Sequence, residues 1–261
     1  MKFWLNGALT DADAARIDPR DRGFTLGDGL FETMRVKDGA ILRLDRHLTR
    51  LADGLRVLNL DLGAEPESLT DALASVLKAN ALREALLRLT VTRGPAARGV
   101  LPDPAGKPTI LITAAPYAQP KPVRAIIATV TRRNEYSPLS RIKSTNYLDS
   151  VLARIEADGC GADEAILLNT AGNVAEATIA NLFAVIDGKL ATPRVKDGAL
   201  PGIMRAEVVA ALGAEERSIA PAELMQAEEV FLTASSGIRP VIALRGRAFP
   251  PGPMAARAAA L

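Results

Sequence analysis

The chain has 261 residues, 48% hydrophobic and 24% charged, with a formal net charge of +2. That length buries a full core, as one large domain or two modest ones, and the faint basic excess is far from the concentrated stripe of a nucleic-acid binder. A single cysteine, Cys160, excludes an intramolecular disulfide and a multi-cysteine zinc site, and a single histidine, His47, excludes any site that needs two.

The first residues, MKFWLNGALTDADAARID, hold too short an apolar stretch for a signal peptide, and no run of eighteen apolar residues occurs anywhere. A cytoplasmic protein with no membrane partner is the expectation. KFWLNG ends in Asn-Gly and predicts a hairpin turn into Ala8 and Leu9; FETMRVKDGAILRL predicts another around Lys37-Asp38-Gly39. Leu44, Leu48, Leu51, Leu55 and Leu58 recur at spacings of four and three, which predicts an amphipathic helix with arginines along its polar side. His47 falls in that same helical stretch. SLTDALASVLKANAL predicts a second helix, with Ser68 as its N-cap. LLRLTVTRG and TILITAAPY predict strands around the Gly/Pro-rich loop GPAARGVLPDPAGKP.

PYAQPKP, residues 116–122, carries three prolines and predicts a stiff linker. It would divide a region over 1–115 from one over 123–261. The second region opens with the strand RAIIATV, then SRIKSTNYLDSVLARIEADG, whose helix stops at Gly159. EAILLN, the turn TAGN, VAEAT, NLFAVIDGKLATP, a helix after LPG and the strand EVFLTAS follow. Strands and helices without regular alternation predict an α+β fold. The tail FPPGPMAARAAAL is low in complexity and is expected to be peripheral.

Four stretches carry candidate chemistry. If Ser144 or Thr145 caps the following helix, the Lys143 amine lies at the positive dipole end, which disfavours its charged form and suits a Schiff-base lysine or a general base. An ordinary solvated lysine is the competing reading. Alternation in VAEAT sets Val174, Glu176 and Thr178 on one side, so Glu176 either reaches water at a strand edge or holds a buried cationic heterocycle. Pro201-Gly202 leads into a helix whose first N–H groups, those of Ile203 and Met204, make an anion seat. TASSG adds the hydroxyls of Ser235 and Ser236. Twenty-four arginines against eight lysines also favour small anionic ligands.

In their order and spacing, KSTNYL, GNVAEATIANLF, LPGIMR and the small-hydroxyl turn resemble the class IV aminotransferases, the fold-type IV pyridoxal-phosphate enzymes. The resemblance runs from FTLGDGLFETMRV to TASSGIRPV, nearly the whole chain. It implies a two-domain α+β homodimer: a smaller N-terminal α/β domain over 1–115, the linker 116–122 and a larger cofactor-binding domain over 123–261. It implies pyridoxal 5'-phosphate as cofactor, an amino-acid-like substrate and no metal. Lys143 would form the Schiff base and move protons. Glu176 would pair with the pyridine nitrogen, and Tyr147, four residues after the lysine on the same helical side, with the ring oxygen. Arg50 would bind the phosphate together with the N–H groups of Ile203 and Met204 and with Ser235 and Ser236. Phe31, Thr33 and Arg98 would meet the substrate.

Within the family, Thr33 in LFETMRV stands where branched-chain enzymes carry glycine. This favours 4-amino-4-deoxychorismate lyase, which eliminates pyruvate to leave 4-aminobenzoate. KSTNYL is shared with branched-chain enzymes and keeps a branched-chain transaminase as the alternative. Val100, two residues after Arg98, replaces the histidine of D-amino-acid transaminases and the aromatic of many lyases, which counts against both. A non-catalytic relative that only binds the cofactor would not need both Lys143 and Glu176.

Overall fold

The computed structural model describes residues 1–103, 106–250 and 252–261. The predicted loop over 94–108 includes residues 104 and 105, and the predicted tail includes residue 251; those three lie outside the described residues. The chain forms two compact units, Met1–Ala118 with Ile142–Asn146, and Gln119–Arg141 with Tyr147–Leu261. The segment that carries Lys143 therefore counts with the first unit, whereas the sequence reading set it in the C-terminal domain. Backbone pairing is the reason: Phe31 N–H donates to Lys143 O at 2.9 Å, and Thr145 N–H to Gly29 O at 2.9 Å.

In the first unit, β1 (Lys2–Leu5) and β2 (Ala8–Asp11) are joined at Asn6-Gly7, both with positive φ, the turn that matches strand twist. A short α1 (Arg22–Leu26) leads into β3 (Gly29–Lys37), which turns through Asp38-Gly39 into β4 (Ala40–Ile41). Then come α2 (Leu44–Leu58), α3 (Thr70–Ala79), β5 (Ala85–Thr92) and β6 (Thr109–Pro116). The strands form one antiparallel sheet in the order β2-β1-β6-β5-β3-β4. Its alternation is strict in β5, where Ala85, Leu87, Leu89 and Val91 are buried and the residues between them are not. Leu51 and Leu55 of α2 and Leu73, Val76 and Leu77 of α3 pack over that face with Leu30, Met34, Val36 and Ile112. Each fully buried leucine contributes roughly 1.5–3 kcal/mol. The predicted Ser68 cap is not made. A 3₁₀ turn over Pro66–Leu69 precedes α3, because Pro66 starts the helical path early, and Leu69 takes the cap position without a side-chain bond.

The second unit holds β7 (Val123–Ile127), α4 (Leu148–Gly159), β8 (Glu164–Leu168), β9 (Val174–Ala177), β10 (Asn181–Ile186) and β11 (Lys189–Thr192). It continues with α5 (Ile203–Leu212), β12 (Glu215–Glu216), α6 (Pro221–Leu224), β13 (Glu229–Ala234), β14 (Gly237–Leu244), β15 (Arg247–Ala248) and α7 (Pro253–Ala259). Its sheet runs β12-β11-β10-β13-β14-β7-β8-β9, with β15 beside β14, and is mixed. The sheet curls, so that Ala177 N–H at the end of β9 donates to Ala180 O at the start of β10 at 2.8 Å. Every residue of β8, β9 and β10 is buried, so VAEA lacks the exposed face its alternation predicts. The tail is not peripheral either. Ala255 and Ala258 of α7 are small enough to pack close to the stacked Phe183 and Phe231, and Glu229 accepts from the Met254 and Ala255 N–H groups at the helix start.

One carboxylate holds three parts of the first unit together. Asp28, between α1 and β3, accepts from Arg22 Nε and Arg93 Nε, both at 2.8 Å. Arg93 also donates to the Leu58 and Asn59 carbonyls at the end of α2, and Arg22 to the Gly99 and Val100 carbonyls in the loop beside Arg98. Burial works to raise the Asp28 carboxyl, and the hydrogen bonds and charges of Arg93 and Arg22 outweigh it, so it titrates below its ordinary value. A lowered folded-state value gives stability that is present above the unfolded carboxylate range near pH ~4 and is lost as pH falls through the lower folded value. Asp28→Asn should therefore cost about 2 kcal/mol at pH 7 in urea denaturation, and the gap to wild type should close as pH falls below ~4.

Candidate active site

Side chains of β3 alternate. Leu30, Glu32, Met34 and Val36 are buried on the helix side, while Phe31, Thr33 and Arg35 face the other way. β4 covers the edge of β3 only at Val36 and Lys37. The other end of that edge is taken by the segment 142–146, with Ser144 opposite Leu30. This brings Lys143 Nζ to 4.4 Å from the Phe31 ring centroid. The guanidinium of Arg88, which lies opposite Thr33 on β5, stands 3.7 Å from the same ring. Phe31, Thr33 and Lys143 thus come together, and Arg88, which the sequence reading missed, joins them. Arg98 is exposed on the loop that Arg22 fixes.

The helix after the lysine starts later than predicted. α4 begins at Leu148, Tyr147 occupies its cap position, and no side chain caps it. Thr145 Oγ1 donates instead to Gly27 O at 2.7 Å, Asn146 Nδ2 donates to the same carbonyl at 2.9 Å, and Ser144 pairs along β3. The α4 dipole therefore does not act on Lys143 as a capped helix would, and Tyr147 does not share a helical side with it. Gly29 is required for a different reason. A Cβ there would lie 2.7 Å from Val91 O, so only glycine allows the close approach of β3 to β5 that starts this arrangement.

On the helix side, Glu32 is buried at 1% exposure and takes three hydrogen bonds. Arg50 of α2 grips it with Nε to Oε1 at 2.8 Å and Nη2 to Oε2 at 2.6 Å, and His47 Nδ1 lies 2.6 Å from Oε2. Burial pushes the Glu32 carboxyl up, but His47 and Arg50 prevail and hold it below its ordinary value. A carboxylate only accepts, so His47 Nδ1 carries the hydrogen. Neither Glu32 nor a role for His47 stood out in the sequence.

In the second unit, Glu176 on β9 is 8% exposed, so it does not reach water. Its Oε2 accepts from Leu200 N–H at 2.9 Å and Asn181 Nδ2 at 3.4 Å, and its Oε1 pairs with Arg133 Nη2 at 3.0 Å. Arg133 is itself anchored on the Gly198 and Ser140 carbonyls. Asn181 also donates to Leu200 O at 2.8 Å, and its Oδ1 sits 1.9 Å from where a Cβ of residue 202 would lie. A Cβ at residue 202 would displace that amide, so glycine there lets the start of α5 approach the strand that neighbours Glu176. No side chain caps α5, and Ile203 and Met204 are buried in its first turn. Ser235 and Ser236 form the half-buried tight turn between β13 and β14. Arg133 has no motif of its own, and only its fold position reveals it. Arg133→Met should remove a cation paired with the buried Glu176 and cost about 3 kcal/mol of stability. Adding Glu176→Gln should recover part of that loss in urea denaturation, because the charge is gone.

Residues 29–244 match the family described as amino-transferase class IV. A Methanocaldococcus jannaschii protein provisionally named a branched-chain-amino-acid aminotransferase is 38% identical over 257 residues, covering 95% of this chain and 89% of that protein. Among solved structures, the branched-chain aminotransferase of the archaeon Thermoproteus uzoniensis, crystallised with norvaline, superposes with a TM-score of 0.93 at 30% identity over 100% of this chain and 92% of that one. A Legionella pneumophila protein provisionally named a 4-amino-4-deoxychorismate lyase gives 0.87 at 32% identity, over 95% and 94%. With its α+β fold and its motifs in place, the chain belongs to the class IV aminotransferases, the fold-type IV enzymes that depend on pyridoxal 5'-phosphate.

Proposed function

We propose that this chain is a transaminase that takes its amino group from a branched-chain or similar aliphatic amino acid. The observation that carries the reading is the Lys143 amine set 4.4 Å from the Phe31 ring: an apolar wall beside the reactive group suits an aliphatic side chain. The Methanocaldococcus relative, matched over nearly the full length of both chains, supports the same reading. The lyase expected from Thr33 is the second reading. It keeps the support of Thr33 on the Phe31 side of β3, and the comparisons favour the transaminase over it.

The residues of the second unit fit the cofactor on one observation of this structure. Thr233 Oγ1 is buried without a hydrogen-bond partner and lies on β13 opposite Asn181, which touches both Glu176 and the start of α5. A polar ligand atom would satisfy that hydroxyl. When bound, pyridoxal phosphate supplies an electron sink for the pair left behind as the substrate Cα–H bond breaks. Lys143 is the amine that holds it and the base that moves the Cα proton. Glu176 pairs with the pyridine nitrogen, and Arg133 holds the Glu176 carboxylate in place for that task. Tyr147 donates to the ring oxygen. Arg50, the N–H groups of Ile203 and Met204, Ser235 and Ser236 bind the phosphate. Phe31, Thr33 and Arg98 orient the substrate.

We further propose a homodimer built on α4. One face of that helix packs inward through Ser150, Ala153 and Ala157, while Leu148, Val151, Leu152 and Ile155 form an exposed stripe at helical spacing. A groove of about 430 Å³ runs beside it, lined in part by Ile155 and Ile179. A two-fold copy in antiparallel register would set Leu148 against Ile155 and Val151 against Leu152, a self-complementary apolar pattern. No helix among the described residues is long and apolar enough to cross a membrane, and the reading places the enzyme in the cytoplasm.

Purified protein should be yellow, and Lys143→Ala should abolish the band that borohydride shifts. Offered branched-chain amino acids with 2-oxoglutarate, it should release the keto acid; 4-aminobenzoate formed from aminodeoxychorismate, without keto acid from the panel, would transfer the assignment to the lyase. In light scattering the wild type should weigh as a dimer and Ile155→Glu as a monomer.

A further inference from the structure

We infer that Glu32 is a positioning residue for phosphate capture, holding the Arg50 guanidinium in a fixed plane with His47 as its second support. The inference rests on the proposed role of Arg50 as a phosphate ligand.

Three polar groups share one place in an otherwise apolar layer. Glu32 and His47 are each 1% exposed; Glu32 shares the buried face of β3 with Leu30 and Met34, and His47 is buried on α2 with Leu48 and Leu51. Stability alone is a poor account of this, since apolar side chains of like volume fill such a space at no loss. The geometry instead suits a clamp. Arg50 is held side-on, by Nε and Nη2 together, and both oxygens of Glu32 are engaged. Two parallel bonds to a planar fork fix its plane as well as its position. An arginine without such a hold has about 2 kcal/mol of rotamer entropy to lose on meeting an anion.

The carboxylate brings a cost, because its negative charge opposes that of an incoming phosphate. His47 reduces this cost by donating to Oε2, the same oxygen that Arg50 Nη2 reaches. The trio is therefore one unit: His47 fixes the carboxylate, the carboxylate fixes the guanidinium, and the strand and helix that carry them are bound together as a result. It also gives a role to the acidic residue of FETMR, whose neighbours Phe31 and Thr33 face the other side of the sheet.

The test compares the affinity of apoprotein for pyridoxal 5'-phosphate with that for pyridoxal, which lacks the phosphate, by absorbance titration. A general loss of structure lowers both affinities alike; a loss of phosphate positioning lowers their ratio. Glu32→Gln should cut the ratio roughly tenfold, the equivalent of one charge-assisted hydrogen bond. Glu32→Asp keeps the charge and shortens the reach, so a comparable fall there assigns the effect to position, and it serves as the readout should Glu32→Gln not fold. Arg50→Ala should lower the ratio at least as far. A ratio unchanged in both Glu32 variants while Arg50→Ala lowers it overturns the inference. A ratio unchanged in Arg50→Ala overturns the phosphate role of Arg50 itself.

Discussion

Much of the candidate site depends on a strand edge left incomplete. β4 is two residues long and pairs only with the last residues of β3, so the N–H of Phe31 and the carbonyl of Gly29 need other partners. Buried backbone groups without hydrogen bonds are expensive, and the segment 142–146 meets that need. Lys143 is therefore placed by backbone pairing, not by a helix. Its amine reaches the Phe31 ring because residues that face each other across a strand pair lie within side-chain reach. Gly27 and Gly29 belong to the same device, one accepting from Thr145 and Asn146 and the other admitting β5.

The abundance of arginine has an internal meaning. Arg22 and Arg93 converge on Asp28, Arg50 on Glu32, Arg133 on Glu176, and Arg154 and Arg239 on the fully buried Glu164. A composition so rich in guanidinium groups suggested capture of small anions. In the structure these arginines grip the protein's own carboxylates, which could not be buried without them. The two readings meet where a gripped arginine or a gripped carboxylate also faces a ligand, as proposed for Arg50 and Glu176.

Several local signals in the sequence are overruled for one common reason. Ser68 and Ser144 or Thr145 have the chemistry of caps, yet Pro66 and the pairing along β3 claim the backbone first. VAEAT alternates, yet the curl of the sheet buries both of its faces. The alanine-rich tail looks featureless, yet small side chains are what allow α7 to approach Phe183 and Phe231. In each case a local preference yields to a contact with residues distant in sequence.

By itself the sequence determined the hairpin turns at Asn6-Gly7 and Asp38-Gly39, the leucine stripe of α2, the α+β class and the ordered motifs that mark the family and its cofactor. These depend on backbone sterics and side-chain period, which act over a few residues. Only the tertiary structure decided that Arg133 pairs with Glu176, that Asn181 packs against Gly202, that Glu32 and His47 hold Arg50, and that Lys143 lies on Phe31. A buried charge must find its partner wherever the fold brings one, and no short-range pattern records which residue that is.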